Sequence, residues 1–192
     1  MTGIIILAAG SSRRLGQPKQ NLVFKGGTLL QRAVETAIAS VCAPVIVVLG
    51  ANAGVIRPTV EHYKITIIEN PDWAEGMSSS IRVGITALQN FAPTAESAIL
   101  MLCDQPFVDT YLLNHLVLAK PESSIVSYFY NDTPGPPALF DAVYFDDLQL
   151  LTGAEGAKKV IQKYPEKTVE IVFPPGRIDI DTIEDFEKIS GL

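Results

Sequence analysis

An α/β fold is predicted by this sequence: a single Rossmann-like, three-layer domain in which a mostly parallel sheet lies between two layers of helices. Three observations carry the prediction. Short apolar, β-branched runs alternate along the chain with segments of helical period. The first of those runs passes directly into a Gly/Ser/Arg loop, as expected where a strand ends at a ligand crevice. The 192 residues are 47% hydrophobic and 19% charged, a size and balance suited to one sizeable core, so residues 1–192 are expected to form one domain.

The expected strands are Gly3 to Ala8, Pro44 to Gly50, Ile65 to Glu69, Ala98 to Cys103 and Ser124 to Tyr128, each bounded by turn residues or polar stretches. Helical periodicity covers Thr28 to Ser40, Ser78 to Phe91, Thr110 to Ala119 and Glu155 to Tyr164. Ala51 to Tyr63 also reads as helical, interrupted at Pro58. Right-handed crossovers between parallel strands place such helices on both faces of the sheet. Asn131 to Pro137 holds Gly135 and three prolines, and is expected to be a loop over the sheet. A final strand, Val169 to Phe173, leads through Pro174-Pro175-Gly176 to Asp179-Ile180-Asp181-Thr182 and a last helix capped in the region of Asp181 and Thr182.

The formal net charge of −6 argues against nucleic acid or an anionic membrane as a partner, because counterion release needs clustered Lys and Arg. Any anionic substrate must therefore meet a local basic loop. Cys42 and Cys103 each sit in an apolar stretch and are expected to be buried, reduced thiols. Met1 to Leu7 lacks the basic flank and long apolar run of a signal peptide, so a cytoplasmic protein is expected. His62 and His115 fall in expected helices without the partner ligands that zinc requires.

The strongest chemical signal is Leu7-Ala8-Ala9-Gly10-Ser11-Ser12-Arg13-Arg14-Leu15-Gly16-Gln17-Pro18-Lys19, directly after the first strand. Ala8, Ala9 and Gly10 let backbone approach a base or phosphate, Ser11 and Ser12 can bond phosphate oxygens, and Arg14 and Lys19 supply charge against a triphosphate. A plain Gly/Ser connection with solvated cations is the alternative, but small residues and cations gathered after strand one favour a binding loop. It is not a Walker A loop, since five residues separate Gly10 from Gly16 and Gln17 follows. Nor is it a dinucleotide fingerprint: Ser12 replaces the second glycine, and Gly50-Ala51-Asn52 offers no carboxylate.

Two more segments lie at expected carboxyl ends of strands. Asn70 to Ser80 enters a helix through Gly76, Met77 and Ser78, where amides can face an anion or base, although serines there can equally serve as caps. Leu100 to Pro106 presents Asp104, either a hard oxygen ligand for Mg²⁺ or the start of an Asx turn. In Arg177 to Thr182 an extended chain would put Asp179 and Asp181 on one face, a costly pair without a cation, or else Asp181 caps the last helix.

Leu7 through Lys19 resembles the Leu-Ala-Ala-Gly-x-Ser-x-Arg-Met-Gly-x-x-Lys signature of the MobA-like NTP transferases, with Leu15 at the Met position. Asn70 to Ser80 is similar to that family's Asn-Pro-x-Trp-x-x-Gly-Met-x-Ser-Ser segment, Cys103 to Pro106 to its Cys-Asp-Gln-Pro motif, and Asp179 to Asp185 to its Asp-Ile-Asp-Thr-Pro-Glu-Asp ending, with Ile183 for Pro. The resemblance runs from Leu7 to Asp185 and implies a sheet of the nucleotide-diphospho-sugar transferase type. It implies that Leu7, Ala8, Ala9, Gly10, Ser11, Ser12, Arg14, Gly16 and Lys19, with Asn70, Gly76, Met77, Ser78 and Ser80, bind the nucleotide. It further implies that Asp104 and Asp181 hold Mg²⁺ or Mn²⁺, Asp181 ahead of Asp179, and that Arg14, Lys19 and Asp104 are catalytic.

The Ala8-Ala9-Gly10 form is similar to molybdenum cofactor cytidylyltransferases. The implied reaction moves CMP from CTP to molybdopterin and releases pyrophosphate, with a recipient molybdoenzyme as a downstream partner. Two departures lie on the acceptor side: Pro136 stands at the histidine of a Gly-His-Pro segment, and Ala154 at the acid of a Leu-x-Gly-Asp-x-Gly-Ala segment. They keep open another phosphorylated acceptor such as a sugar phosphate, or a nucleotide-binding accessory protein without catalysis.

Overall fold

The computed structural model describes residues 1–13, 15–173, 175, 178, 180 and 182–190. Strand β1 (Thr2–Ala8) is the organising element, buried from Gly3 onward on both faces. Its side chains alternate: Ile4, Ile6 and Ala8 enter one core, Ile5 and Leu7 the other. The hairpin β2 (Val23–Phe24) and β3 (Gly27–Thr28) precedes α1 (Leu29–Ile38), which Thr28 and Gln31 close with a reciprocal capping box. Then follow β4 (Val45–Leu49), the short α2 (Ala53–Ile56), β5 (Thr66–Glu69), α3 (Met77–Phe91), β6 (Ser97–Leu102) and α4 (Thr110–Leu118), N-capped by Asp109. The chain continues through β7 (Ile125–Tyr130), β8 (Thr133–Asp141), α5 (Phe145–Gln149), α6 (Lys158–Lys163), β9 (Thr168–Val172) and α7 (Ile183–Ser190).

Seven strands form one sheet in the order β5-β4-β1-β6-β8-β7-β9. Every pairing is parallel except those of β8, which runs against both β6 and β7. Successive connections leave β1 towards β4 on one side and β6 on the other, and such a switch point opens a crevice at the carboxyl ends of the strands. One face of the sheet packs against α1 and α4 through Leu30, Val34, Leu113 and Leu116. The other packs against α3, α5 and α6 through Ile81, Ile85, Leu88, Phe145, Leu148 and Ile161. A third, smaller cluster joins Leu15 and Leu22 to Phe24, Leu29 and Ile180, with Phe107, Ile178 and Phe186 against it.

The expected strands and major helices form within a few residues of their expected bounds, and the mostly parallel three-layer arrangement holds. Asn131 to Pro137 is a correction, since residues from Thr133 onward belong to β8. The prolines are tolerated because β6 pairs with β8 only from Ala138 onward, leaving Pro134 to Pro137 with one sheet neighbour. Pro136 and Pro137 fall where the register shifts, between the Ser127–Ala138 and Tyr128–Gly135 pairs. The expected helix Glu155 to Tyr164 shortens to α6, because the Glu155 carboxylate folds back to accept from the Thr152 amide at 2.9 Å. Ala51 to Tyr63 yields only α2 and one 3₁₀ turn, broken at Pro58. At α7 the Thr182 hydroxyl accepts from the Asp185 amide at 3.1 Å, the cap expected there.

Both cysteines are buried, and burial pushes the Cys103 thiol up to about 12. Among the described residues, no helix is long and apolar enough to cross a membrane.

Candidate active site

At the carboxyl ends of β1 and β6 lies an open cleft of about 430 Å³, within the usual range for small-molecule sites. Its roof is the loop after β1, and a buried amide sets that loop's shape. Gln20, 1% exposed, donates to the carbonyls of Ala8 at 2.8 Å and Gly10 at 3.0 Å. The Ser12 hydroxyl accepts from the Lys19 amide at 3.0 Å and closes the loop on itself. Ala51 donates to the Ala9 carbonyl at 3.1 Å, so the loop also rests on the end of β4. Only small residues allow that contact: a methyl on Gly50 would stand 2.8 Å from Ala9 Cβ and 2.6 Å from Trp73 Cβ. Gln20→Ala should remove the donor from two loop carbonyls, and unsatisfied buried groups cost ~1–3 kcal/mol each. A loss of about 2 kcal/mol in urea unfolding is expected; an unchanged midpoint would mean that water replaces the amide.

The opposite wall is the segment that enters α3. Asn70, 1% exposed, donates to the hydroxyls of Ser79 at 2.8 Å and Ser80 at 3.0 Å, while its Oδ1 accepts from the Asp72 amide at 3.0 Å. Both the hydroxyl and the amide of Ser78 donate to the Gly153 carbonyl, at 2.7 and 3.4 Å. Arg82 pins the same neighbourhood, donating to the Leu151 carbonyl at 2.7 Å and to Glu75 at 2.6 Å. Its hydrogen bond holds the Glu75 carboxyl below its ordinary range.

The floor holds the charges. Lys19 Nζ pairs with Asp104 Oδ2, while Asp104 Oδ1 is buried and accepts from no donor among the described residues. Asp104 is 6% exposed, and its backbone carbonyl accepts from the Ile180 amide at 3.2 Å. A buried carboxylate oxygen without a donor is suited to a hard cation, which supplies the missing positive charge. Among the described residues, no three His, Cys, Asp or Glu side chains converge on a metal position.

Ten of the residues expected from sequence line this cleft: Leu7, Ala8, Ala9, Gly10, Ser11, Lys19, Gly76, Met77, Ser80 and Asp104. Ser12, Gly16, Asn70 and Ser78, also expected as nucleotide contacts, stand beside it in the turns and hydrogen bonds that hold the walls. Arg14, Asp179 and Asp181 lie outside the described residues. Sequence reasoning missed Gln20, Arg13, Trp73, Ala74, Leu102 and Cys103 as lining residues. Trp73 and Cys103 stood inside recognised segments, but nothing local marks Gln20, whose partners are fixed by the folded loop.

A doubly wound sheet whose crevice is roofed by a small-residue loop, with a lysine–aspartate pair on its floor, defines a nucleotide-handling α/β protein. The chain belongs to the MobA-like NTP transferase domain family, a family of nucleotidyltransferases whose model matches residues 4–169. It is 30% identical to a nicotine blue oxidoreductase of Paenarthrobacter nicotinovorans, over 98% of this chain and 96% of that protein. It is 27% identical to the molybdenum cofactor cytidylyltransferase of Escherichia coli K12, over 95% of this chain and 92% of that one. Among solved structures it is similar to Rv0371c of Mycobacterium tuberculosis H37Rv, with TM-score 0.86, 28% identity and coverage of 100% and 98%. A structure of Rv0371c in complex with manganese gives TM-score 0.80 and 26% identity, covering 99% of this chain and 97% of that one.

Proposed function

We propose that the protein is a divalent-metal-dependent cytidylyltransferase that moves CMP from CTP to a phosphorylated acceptor, molybdopterin first among them, and releases pyrophosphate. The observation that carries the reading is the small-residue loop, shaped by Gln20, facing across Lys19 a buried Asp104 oxygen that has no donor among the described residues. The likeness to the cytidylyltransferase of E. coli supports the choice of CTP and molybdopterin. The manganese complex of Rv0371c supports a divalent ion, Mg²⁺ or Mn²⁺.

Ala8, Ala9, Gly10 and Ser11 line the roof under which base and phosphates bind, and Ser80 offers a hydroxyl on the facing wall. Lys19 exchanges its partner Asp104 for phosphate oxygens, with Arg14 as a second cation against the departing pyrophosphate. Asp104, with Asp181 as the second carboxylate, would hold the metal, which would supply positive charge against the triphosphate. The acceptor phosphate is anionic at neutral pH and attacks the α-phosphorus in line. No general base or covalent enzyme intermediate is required, and catalysis is positioning plus electrostatic stabilisation.

Pyrophosphate release from CTP, GTP, ATP and UTP with Mg²⁺ or Mn²⁺, with and without molybdopterin, tests this when the nucleotide product is identified by mass. Molybdopterin-dependent release selective for CTP is expected. Because Trp73 is the chain's one tryptophan and lines the cleft, the same nucleotides should change its fluorescence on binding. A fluorescence change without release would point to a sugar phosphate acceptor or a nucleotide-binding accessory protein. Oxidation of NAD(P)H with no nucleotide response would replace the proposal with the redox chemistry named in the P. nicotinovorans relative.

A further inference from the structure

Lys19 spans the cleft from roof to floor. Its backbone belongs to the loop after β1, where its amide donates to the Ser12 hydroxyl at 3.0 Å, while its ammonium pairs with Oδ2 of Asp104. Both ends of that bridge are anchored. The neighbouring Gln20 holds the Ala8 and Gly10 carbonyls, and the Asp104 carbonyl accepts from the Ile180 amide. Between the anchors runs a flexible four-carbon stem that borders the open cleft, so Lys19 can leave Asp104 by side-chain rotation while roof and floor stay in place.

The two oxygens of Asp104 differ. Oδ2 has the ammonium, whereas Oδ1 is buried and accepts from no donor among the described residues. A buried carboxylate needs a positive charge beside it whether or not a ligand is present, and Lys19 supplies one. A divalent ion drawn to the same carboxylate must displace that charge, because two cations on one small anion repel each other. Building on the nucleotidyl-transfer reading, we infer that Lys19 is the resident counter-ion of the metal position, and that a triphosphate opens Asp104 to the divalent ion by drawing Lys19 away. Nucleotide and metal then bind with positive coupling, each raising the affinity for the other by the same factor. Without nucleotide, the chain's own ammonium keeps the position closed. Lysine suits this exchange, since an arginine would set a planar fork across both oxygens and hold the carboxylate shut.

Titration of the full chain with Mn²⁺ in the absence of nucleotide, followed by the paramagnetic resonance of the free ion, isolates the competition. Lys19→Met should bind Mn²⁺ at least about tenfold more tightly than the wild type. Lys19→Arg, which keeps the charge, should show no gain, and Lys19→Met combined with Asp104→Asn should lose it. Urea unfolding gives a second readout: Mn²⁺ should raise the midpoint of Lys19→Met by more than that of the wild type, and a Lys19→Met chain that folds only with Mn²⁺ supports the same competition. Equal or weaker Mn²⁺ binding by Lys19→Met, a gain matched by Lys19→Arg, or a gain that survives Asp104→Asn overturns the inference. Metal-free CTP, read by Trp73 fluorescence, separates this from the reading beneath it. A wild type that ignores CTP while Lys19→Met gains Mn²⁺ removes the nucleotide reading and leaves Lys19 as the metal's competitor; a CTP response without the Mn²⁺ gain keeps the nucleotide reading and refutes the exchange.

Discussion

Gly76→Ala is expected to destabilise the protein strongly, lowering the urea midpoint by the equivalent of about 3 kcal/mol. Two effects add. Gly76 has φ +130°, a conformation that L side chains rarely adopt, and strain of this kind costs ~1–3 kcal/mol. The added carbon would also overlap the Gly153 carbonyl and crowd the Ala154 amide, both backbone groups that no rotamer change can move aside. The resulting displacement would reach Ser78, whose hydroxyl and amide share that same carbonyl. Gly153→Ala is the control: its φ is +57° with nothing near the new carbon, so only the left-handed penalty of ~1–2 kcal/mol applies. Equal losses for the two variants would show that the close approach at Gly76 does not matter.

Asp104→Asn should leave the sheet intact and reduce kcat/KM for CMP transfer by about a thousandfold, the scale of a lost electrostatic contact to the reacting phosphates. Asparagine keeps the volume but offers neither a second anionic oxygen for a cation nor a counter-charge for Lys19. The stability cost should stay near 1 kcal/mol, because the Lys19 ammonium borders the open cleft and can be rehydrated there. Wild-type turnover of this variant with saturating Mg²⁺ or Mn²⁺ would sink the assignment of Asp104.

The family and the strand pattern were legible in the sequence, because both follow from local residue order. The alternation of Ile4 and Ile6 with Ile5 and Leu7 shows a strand buried on both sides, and the small residues after it mark the cleft. What stayed hidden depends on distant partners. β8 carries prolines that local rules assign to a loop, and it survives as a strand because β6 pairs with only part of it. Asn70 and Ser78 stand in a recognised segment, but their hydrogen bonds to Ser79, Ser80 and the Gly153 carbonyl depend on the fold and cannot be read locally. Gln20 shows the converse, an unremarkable amide whose importance comes from two carbonyls brought to it by the turn.

The third cluster ties the loop after β1 to the segment before α7, since Leu15 packs with Ile180 and the Ile180 amide bonds to the Asp104 carbonyl. The loop and part of its seat are therefore more than 160 residues apart in sequence. A chain clipped before residue 178 keeps the strands that pair β1 with β4 and β6, but the cluster around Leu15 loses Ile178, Ile180 and Phe186 and is left with Leu22, Phe24, Leu29 and Phe107. A proteolytic cut just before residue 178 would therefore slacken the loop and the backbone of Asp104 together while leaving most of the sheet standing.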